Sequence, residues 1–161
     1  MSKETEAPEV FEDSVGLLTI EPARPEDATA LAELAEQLGY QVTPLQLAQW
    51  LSEYQFQPTQ RIFVAWSNGD IIGWVDAGIV NHMITGRYGE IGGLIVSAKH
   101  RGRGVGRQLA AEAEKWMREQ GVNSCTVRSR TSRPDAHRFY ERERYEIVKT
   151  SVVFRKELKG G

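Results

Sequence analysis

The spacing of apolar residues predicts two helices in the first third of the chain, after a short strand at 17–20. From Pro25 onward, leucine and alanine side chains recur on one helical face, and Gly39 is a typical residue to end that helix. A second helix is predicted to begin at Thr43 and Pro44, since threonine caps helices and proline suits the first helical position. Its inward-facing residues are Leu47, Trp50 and Leu51.

In the middle of the chain the pattern changes to apolar runs that are typical of strands. Residues 62–66 and 71–75 flank the dipeptide Asn68-Gly69, which favours a two-residue β-hairpin turn. The register of this hairpin stays open at the two residues beside the turn, Ser67 and Asp70.

A third consecutive strand is predicted over 88–96, after a loop at 81–87. The pair Gly92-Gly93 lies inside this strand. Glycine weakens a strand unless the backbone must bend there, so the pair predicts a β-bulge.

The C-terminal part alternates helix and strand. A glycine- and arginine-rich segment leads into a strongly amphipathic helix that ends at Gly121, and residues 122–127 form the next predicted strand. Ser132 is a candidate cap for a short helix over 136–143. Two closing strands are predicted, at 145–148 and 152–154.

Composition places the chain among ordinary globular proteins. It has 161 residues, of which 40% are hydrophobic and 26% charged, enough for one domain with its own core. Residues 1–14 are polar and acidic and are predicted to form a flexible tail, which leaves 15–161 as a single domain. One cysteine cannot form an internal disulfide, no apolar run approaches about 18 residues, and the N-terminus lacks a signal-peptide pattern. These features favour a cytoplasmic protein without a membrane partner.

The net charge of −2 conceals a division along the chain. Residues 1–96 carry 4 basic and 14 acidic groups, whereas residues 97–161 carry 16 basic and 8 acidic groups. This asymmetry predicts an anion-binding site in the C-terminal part. The acidic excess of the N-terminal part, which includes Asp76, is consistent with a cationic substrate, although such charge is most often only a solvated surface.

The basic part begins with a turn that has the composition of a phosphate-binding loop. It joins a predicted strand to a long helix, where backbone N–H groups and the positive end of the helix dipole can hold an anion. Glycine allows phosphate oxygens to approach the backbone closely, because it has no Cβ. The dinucleotide fingerprint G-x-G-x-x-G fails here and no GK[ST] triplet is present. The turn consists of Arg101, Gly102, Arg103, Gly104, Val105, Gly106 and Arg107.

This turn resembles the acyl-CoA-binding signature Arg/Gln-x-x-Gly-x-Gly/Ala of the GNAT (GCN5-related) N-acetyltransferase superfamily, with Arg101, Gly104 and Gly106 at the specified positions. The segment Asp-Ala-His-Arg-Phe-Tyr, which ends at Tyr140, resembles the second motif of that family. Glu90 precedes Gly104 by fourteen residues, where histone-type members carry a general base. The order of predicted elements follows the family over most of the chain. In wording, the sequence is most similar to bacterial small-amine members such as the aminoalkylphosphonate and aminoglycoside acetyltransferases.

The resemblance implies an α/β fold with a central mixed, mostly antiparallel sheet of six to seven strands and about four flanking helices. In that fold a splayed, bulged strand binds acetyl-CoA. The resemblance therefore implies acetyl-CoA as cosubstrate, no metal, and a small-molecule or peptide amine as acceptor. The residues themselves predict no nucleic-acid partner and no membrane partner. A homodimer is compatible with the resemblance, because dimers are common in the family.

The resemblance also assigns roles to individual residues. Glu90 would be the general base that deprotonates the acceptor ammonium, and Tyr140 would be the general acid that protonates the departing thiolate. The glycine-rich turn would hold the pyrophosphate. Backbone groups of the bulged strand would pair with the pantetheine arm and supply the oxyanion donor, and the residues concerned are Leu94, Ile95 and Val96.

These assignments have structural alternatives. Glu90 could instead solvate a strand end or pair with Arg87, and Tyr140 could be a core aromatic residue whose hydroxyl bonds to the backbone. Two positions depart from the family pattern. Arg130 stands where an asparagine is common, so it is assigned no catalytic role, and Arg144 replaces a glycine, which predicts a different end to the last helix.

Other functional classes have weaker support. The three histidines lie in separate segments without ligand spacing, which disfavours a zinc site, and Cys125 is expected to be an inert core thiol. His82 lies in the loop that borders the acceptor site in such folds, although a solvated histidine is the more common case. The main alternative is a non-catalytic acetyl-CoA sensor. Such a domain would lose the acid or the tyrosine, and the presence of both Glu90 and Tyr140 favours the enzyme. A nucleic-acid-binding module is disfavoured because no aromatic residues interleave the arginines of the turn.

Overall fold

The computed structural model describes residues 10–13 and 16–160, with side chains from Leu17 onward. The chain divides into two compact units, Met1–Arg128 and Ser129–Gly161. The first unit contains the sheet and three helices, and the second contains the last helix and the C-terminal segment.

The first unit is built on one mixed sheet, which has six strands over the described residues. They are β1 (Val10–Asp13), β2 (Gly16–Pro22), β3 (Gln60–Ser67), β4 (Asp70–His82), β5 (Gly86–Val96) and β6 (Cys125–Val127). Each strand lies beside the next in chain order, and every neighbouring pair from β1 to β5 is antiparallel. β6 runs parallel to β5.

Strand β1 corrects the predicted boundary of the N-terminal tail. Its four residues pair with β2, from Val10 opposite Thr19 to Asp13 opposite Gly16. Backbone pairing decides the conformation of such a strand, and the pattern of apolar residues gives no sign of it. The rest of the predicted tail, residues 1–9 and 14, lies outside the described residues.

Four α-helices are present in the described part of the chain: α1 (Ala28–Gln37), α2 (Pro44–Tyr54), α3 (Val105–Glu119) and α4 (Pro134–Arg142). Thr43 caps α2 as predicted, because its hydroxyl accepts from the Gln46 N–H while the Gln46 side chain accepts from the Thr43 N–H. α4 begins two residues earlier than predicted, and Arg133 rather than Ser132 is its N-cap, since proline suits the first helical position. None of these helices is long and apolar enough to cross a membrane.

The end of α3 explains why the following strand is shorter than predicted. Gly121 has a φ of 84°, and its N–H donates to the Arg118 carbonyl, while the Val122 N–H donates to the Met117 carbonyl. These two bonds form a Schellman motif. Val122 thus still belongs to the helix end, and the strand predicted over 122–127 begins only at the first residue of β6.

The β3–β4 hairpin turns at the predicted dipeptide. Asn68 (φ 50°) and Gly69 (φ 82°) both take left-handed conformations, and Ser67 pairs with Asp70, which settles the register.

The loop predicted at 81–87 is shorter in the structure. Asn81 pairs with Arg87 and His82 pairs with Gly86, so only residues 83–85 remain to make the turn. Polar side chains do not interrupt backbone pairing between two strands, which is why the polar pattern misplaced the strand ends.

The sheet has a different helix layer on each face. α3 covers one face, where a Cβ on Gly73 would lie 3.0 Å from Leu109. α1 and α2 cover the other, where Leu34 packs with Ile95, and Ile62 belongs to a cluster shared with both helices. The two sides are called the α3 face and the α1 face below. The core lies on both faces of the sheet.

The second unit has no strand among its described residues, so the two closing strands predicted at 145–148 and 152–154 are wrong. The apolar side chains of this segment are exposed, from Ile147 at 73% to Phe154 at 92%. An apolar pattern raises the propensity for strand, but a strand also needs a neighbouring edge to which its backbone can bond.

Candidate active site

The bulge in β5 lies at the predicted glycine pair. Asp76 pairs with Gly93 and Ala77 pairs with Ile91, so Gly92 is the extra residue. A Cβ on Gly92 would lie 3.0 Å from Asp76 Oδ2. The bulge therefore presents bare backbone beside the carboxylate of β4.

Two carboxylates and two glycines share the α1 face next to this bulge. Glu90 on β5 pairs directly with Gly78 on β4, Asp76 on β4 pairs with Gly93 on β5, and the alternation of side chains along β4 places Asp76 and Gly78 on the same face. These four residues are called the carboxylate patch. Because its glycines have no side chains, neighbouring residues border the two acids instead: a Cβ on Gly78 would lie 3.4 Å from the Gln60 side chain, and one on Gly93 would lie 3.4 Å from the Trp74 ring.

Glu90 is accessible and has a weak ion-pair partner. Arg128 Nε lies 3.4 Å from Glu90 Oε2, and the side chains of Arg128 and Glu90 are 59% and 28% exposed, so solvent screens their attraction. The alternative pairing with Arg87 is wrong. Arg87 instead donates from Nη1 to the Gln120 carbonyl at the end of α3, 2.9 Å away.

Asp76 is a functional candidate to which the sequence analysis gave no role beyond its share in the acidic excess. Its carboxyl is half-buried, with the apolar Ile62 as its partner on β3 and the bulge on the other side. Burial, and secondarily the negative charge of Glu90, raise the pKa of Asp76 to about 6. Such a perturbed carboxyl is typical of functional sites. A signal was available, since Asp76 is the one charged residue inside the apolar run 71–80.

Beyond the bulge, one edge of β5 is open. The pairing of β5 with β6 stops at Ile91 and Val127. From there to Val96, the described residues show strand pairing of β5 with β4 alone. A free backbone edge of this kind can accept an extended ligand as a further strand.

The direction of the backbone groups on this edge follows from a single hydrogen bond. The Ser97 N–H donates to the Ile72 carbonyl at 2.8 Å, so these two residues form a bonded pair. Bonded and non-bonded pairs alternate along an antiparallel ladder. Leu94 and Val96 therefore turn their N–H and C=O groups to the open edge, whereas those of Ile95 point to β4.

The glycine-rich turn follows β5 after a short 3-10 helix at Ala98–His100. Gly102 (φ 73°) and Gly104 (φ 82°) take left-handed conformations that favour glycine. Gly104 is the N-cap of α3 and makes no side-chain cap, so N–H groups of the first helical turn can point at an anion. Val105 is 1% exposed, and its side chain anchors the helix in the core. The arginines of the turn are exposed, namely Arg101, Arg103 and Arg107.

Tyr140 lies on α4, in the second unit. It is half-buried, and its ring packs edge-on against Phe139 and Tyr145, with centroid distances of 5.1 Å and 5.6 Å. The structure thus describes its immediate aromatic neighbours and leaves its role in chemistry as a prediction.

The end of α4 has the form that a glycine would give it, although the residue is Arg144. Its φ is 66°, its N–H donates to the Glu141 carbonyl at 3.0 Å, and the Tyr145 N–H donates to the Tyr140 carbonyl at 2.9 Å. These two bonds form a Schellman motif. The prediction that the helix would end differently without a glycine is therefore wrong. The two hydrogen bonds and the contact between the tyrosine rings hold the arginine in a conformation that costs about 1 kcal/mol.

Three further expectations concern residues near these elements. His82 is exposed and contacts the ring of Tyr88 edge-on, at 6.2 Å. Cys125 is half-buried rather than buried, because β6 is a three-residue strand at the end of the sheet. Over the described part of the chain, no three His, Cys, Asp or Glu residues are grouped as a metal site requires.

Comparisons with known proteins bear on the same elements. The sequence model of the acetyltransferase (GNAT) family matches residues 26–144. An aminoalkylphosphonate N-acetyltransferase from Salmonella typhimurium is 34% identical over 90 residues, which span 55% of this chain and 58% of that protein. An aminoglycoside N(6')-acetyltransferase type 1 from Stenotrophomonas maltophilia is 27% identical over 145 residues, 87% of this chain and 94% of that protein.

A solved structure shows the same fold. The aminoglycoside N-acetyltransferase AAC(6')-Iy in complex with CoA matches with a TM-score of 0.79 at 18% identity, over 96% of this chain and 99% of that chain. The family match covers well over half of the chain, so the protein belongs to the acetyltransferase (GNAT) family. The resemblance inferred from the glycine-rich turn and the Tyr140 segment is confirmed.

Proposed function

We propose that this protein is an acetyl-CoA-dependent N-acetyltransferase that moves an acetyl group to a primary amine by direct attack. One observation carries the proposal, namely the order of features along β5. An accessible carboxylate at Glu90 is followed by a bulge, by outward-facing backbone groups at Leu94 and Val96, and then by the glycine-rich turn. A base, a cosubstrate edge and an anion site thus succeed one another within one short stretch of chain.

The open edge and the turn together would hold acetyl-CoA. The amides of the pantetheine arm can pair with the outward groups of Leu94 and Val96 as an added strand would. The pyrophosphate would lie at the start of α3, against N–H groups of its first turn, and the exposed arginines Arg103 and Arg107 can add charge-assisted hydrogen bonds. Family membership and the CoA complex of a protein with the same fold support this cosubstrate.

Glu90 would supply the base. An alkylammonium has a pKa near 10.4, so about one amine molecule in a thousand is a free nucleophile at neutral pH. A carboxylate that takes the excess proton, directly or through water, allows the amine to attack the thioester carbonyl. Glu90 suits this step because it lies two residues before the bulge and holds only a screened ion pair.

Two tasks remain, namely stabilisation of the tetrahedral oxyanion and protonation of the leaving thiolate. The outward Leu94 N–H is the candidate donor to the tetrahedral oxyanion. Tyr140 would protonate the departing thiolate, as a phenol with an ordinary pKa near 10 can do. The motif that carries Tyr140 and lies within the matched family region supports this assignment.

The acceptor is a small-molecule or peptide amine. Two of the curated relatives are named for aminoalkylphosphonates and aminoglycosides, which are both small molecules with amino groups. A cytoplasmic location and a homodimer stay predictions from the sequence.

A thiol-release assay tests the proposal. The full chain would be mixed with acetyl-CoA and, in turn, polyamines, aminoglycosides, aminoalkylphosphonates and peptides, while calorimetry measures acetyl-CoA binding separately. We expect amine-dependent release of CoA with at least one of these classes. Binding of acetyl-CoA without release for any amine would favour the non-catalytic sensor instead.

A further inference from the structure

We propose that Asp76 is a proton-relay residue of the acetyl-transfer site, which receives through Glu90 the proton that the acceptor ammonium loses before attack. The inference rests on the proposed function and adds a second acid to it. Asp76 acts through Glu90, so it is a positioning residue for the proton rather than a group that contacts the reacting carbon.

The first argument is the geometry of the carboxylate patch. Asp76 and Glu90 occupy diagonal positions on the same face of adjacent strands, on either side of the bulge at Gly92, and the other two corners are Gly78 and Gly93. Diagonal neighbours in a sheet have Cα atoms roughly 7–8 Å apart, which long side chains can span. The two corners between them have no side chains of their own, and they are bordered by the Gln60 side chain at Gly78 and the Trp74 ring at Gly93.

The second argument is the setting of the Asp76 carboxylate itself. Over the described residues it makes no hydrogen bond or ion pair, although it is half-buried and lies opposite Ile62. A carboxylate in such surroundings destabilises the fold unless a partner compensates it. An asparagine or an apolar residue would fit a purely structural role better, so the acid suggests a requirement of the chemistry.

The third argument is the division of charge between the two acids. Glu90 has Arg128 beside it, whereas the neighbouring charge that acts on Asp76 is the negative one of Glu90. Burial and that charge hold the pKa of Asp76 near 6, so it binds a proton more firmly than an ordinary aspartate and still releases it at neutral pH. A proton that arrives on Glu90 therefore has an acceptor on the same face.

The protons balance over one turnover. The N–H bond of the ammonium breaks, the proton moves to Glu90 and then to Asp76, and it is finally released to solvent. The amine then attacks the thioester carbonyl, and the C–S bond breaks. The second proton lost from nitrogen ends on the CoA thiol, by way of Tyr140 in the proposed mechanism. No oxidant, reductant or metal is needed.

The test compares Asp76→Asn with a matched control, Asp70→Asn, which makes the same change at the exposed hairpin turn of the same strand. With saturating acetyl-CoA and the best amine found for the wild type, kcat would be measured from pH 5 to pH 9. We expect Asp76→Asn to lower kcat about tenfold at pH 7.5 and to remove an acidic limb centred near pH 6. Asp70→Asn should keep both the rate and the profile.

Two further variants make the test specific. Asp76→Glu keeps a carboxylate and should recover most of the rate and the acidic limb, which also covers the case in which the asparagine variant folds poorly. In a relay the acids act as one unit, so the double variant Asp76→Asn/Glu90→Gln should be no slower than Glu90→Gln alone.

The outcomes separate the two proposals. A wild-type rate and profile in Asp76→Asn, or losses that multiply in the double variant, would overturn the relay and leave the acetyltransferase proposal intact. A wild-type chain that binds acetyl-CoA and releases no thiol with any amine would overturn both.

Discussion

The two ends of the β4–β5 ladder share the same antiparallel backbone pairing, but on the α1 face one end carries apolar side chains and the other carries carboxylates. On one side of the bulge, Trp74 faces Ile95, and both pack against Leu34 of α1. The positions that flank the bulge itself carry the carboxylates of Asp76 and Glu90, each paired with a glycine. The first end is called the apolar end and the second the charged end.

The α3 face shows how one ladder can have both an apolar end and a charged end. There the apolar side chains continue past the bulge, since Val75, Ala77 and Ile79 are all buried. Ile91, the direct neighbour of Glu90 in sequence, is 2% exposed. Side chains alternate between faces, so one face can stabilise the whole ladder while the other leaves space for charge at one end. The bulge lies within the charged end, between Asp76 and Glu90.

The largest expected effect is on stability, and it tests whether the α3 face can be weakened at the charged end without loss of activity. Ile91→Ala removes buried methyl groups from the α3 face and should lower the free energy of unfolding by about 3 kcal/mol. At temperatures where the variant is folded, we expect kcat within about twofold of the wild type, because the carboxylate patch is untouched. Urea unfolding and the thiol-release assay measure the two quantities. A loss of kcat without a loss of stability would contradict the separation of the faces.

Glu90→Gln should show the converse pattern one residue away. Loss of the proposed base should lower kcat about 100-fold, which corresponds to about 2.7 kcal/mol in the barrier. Stability should change by less than about 0.5 kcal/mol, since the ion pair with Arg128 is exposed and screened. Arg128→Gln breaks the same ion pair from its other side. If that variant lost as much activity as Glu90→Gln, the ion pair rather than the base would explain the result.

The variant Tyr140→Phe tests whether turnover depends on a residue that lies outside the β4–β5 ladder. Removal of the phenol should lower kcat at least about tenfold, because the thiolate would leave without a proton, while the affinity for acetyl-CoA should barely change. Steady-state kinetics and calorimetry distinguish these effects. Phe139→Leu is a useful control, because it alters the ring contact to Tyr140 and leaves the hydroxyl in place. Unaltered turnover in Tyr140→Phe would remove the residue from the mechanism.

Features fixed by neighbours in sequence were predictable. The hairpin turn at Asn68-Gly69 and the cap at Thr43 depend on backbone preferences of a few adjacent residues, and both are present. The bulge at Gly92-Gly93 followed for the same reason. Glu90 and the glycine-rich turn were assigned roles through the spacing of a family motif, and those roles stay predictions.

Features that depend on distant pairing were not predictable in the same way. Arg128 comes beside Glu90 only because β6 pairs in parallel with β5 in one register, and no local pattern encodes that register. Asp76 comes beside Glu90 through the β4–β5 register and the bulge. The failure at 145–154 has the same cause, since an apolar run does not say whether a partner strand will be there.

The smallest expected effect concerns the cost of keeping Asp76 at the charged end. Its pKa is raised from 3.8 to about 6 in the folded protein, so the folded state binds this proton more tightly than the unfolded state does. The contribution of Asp76 is therefore most favourable below about pH 4, and it is lost as the pH rises through 6. Asparagine has no such dependence.

Asp76→Asn should thus be more stable than the wild type by about 1–2 kcal/mol at pH 8, after allowance for solvent screening of a half-buried group, and the difference should disappear near pH 4. Urea unfolding at the two pH values measures this, with Asp70→Asn as the control for loss of a surface charge. A gain in stability together with a loss of turnover would mean that Asp76 contributes to catalysis while it destabilises the folded protein. Equal stability of Asp76→Asn and the wild type at pH 8 would show instead that solvent compensates the carboxylate, and that the charged end of the ladder costs the fold nothing.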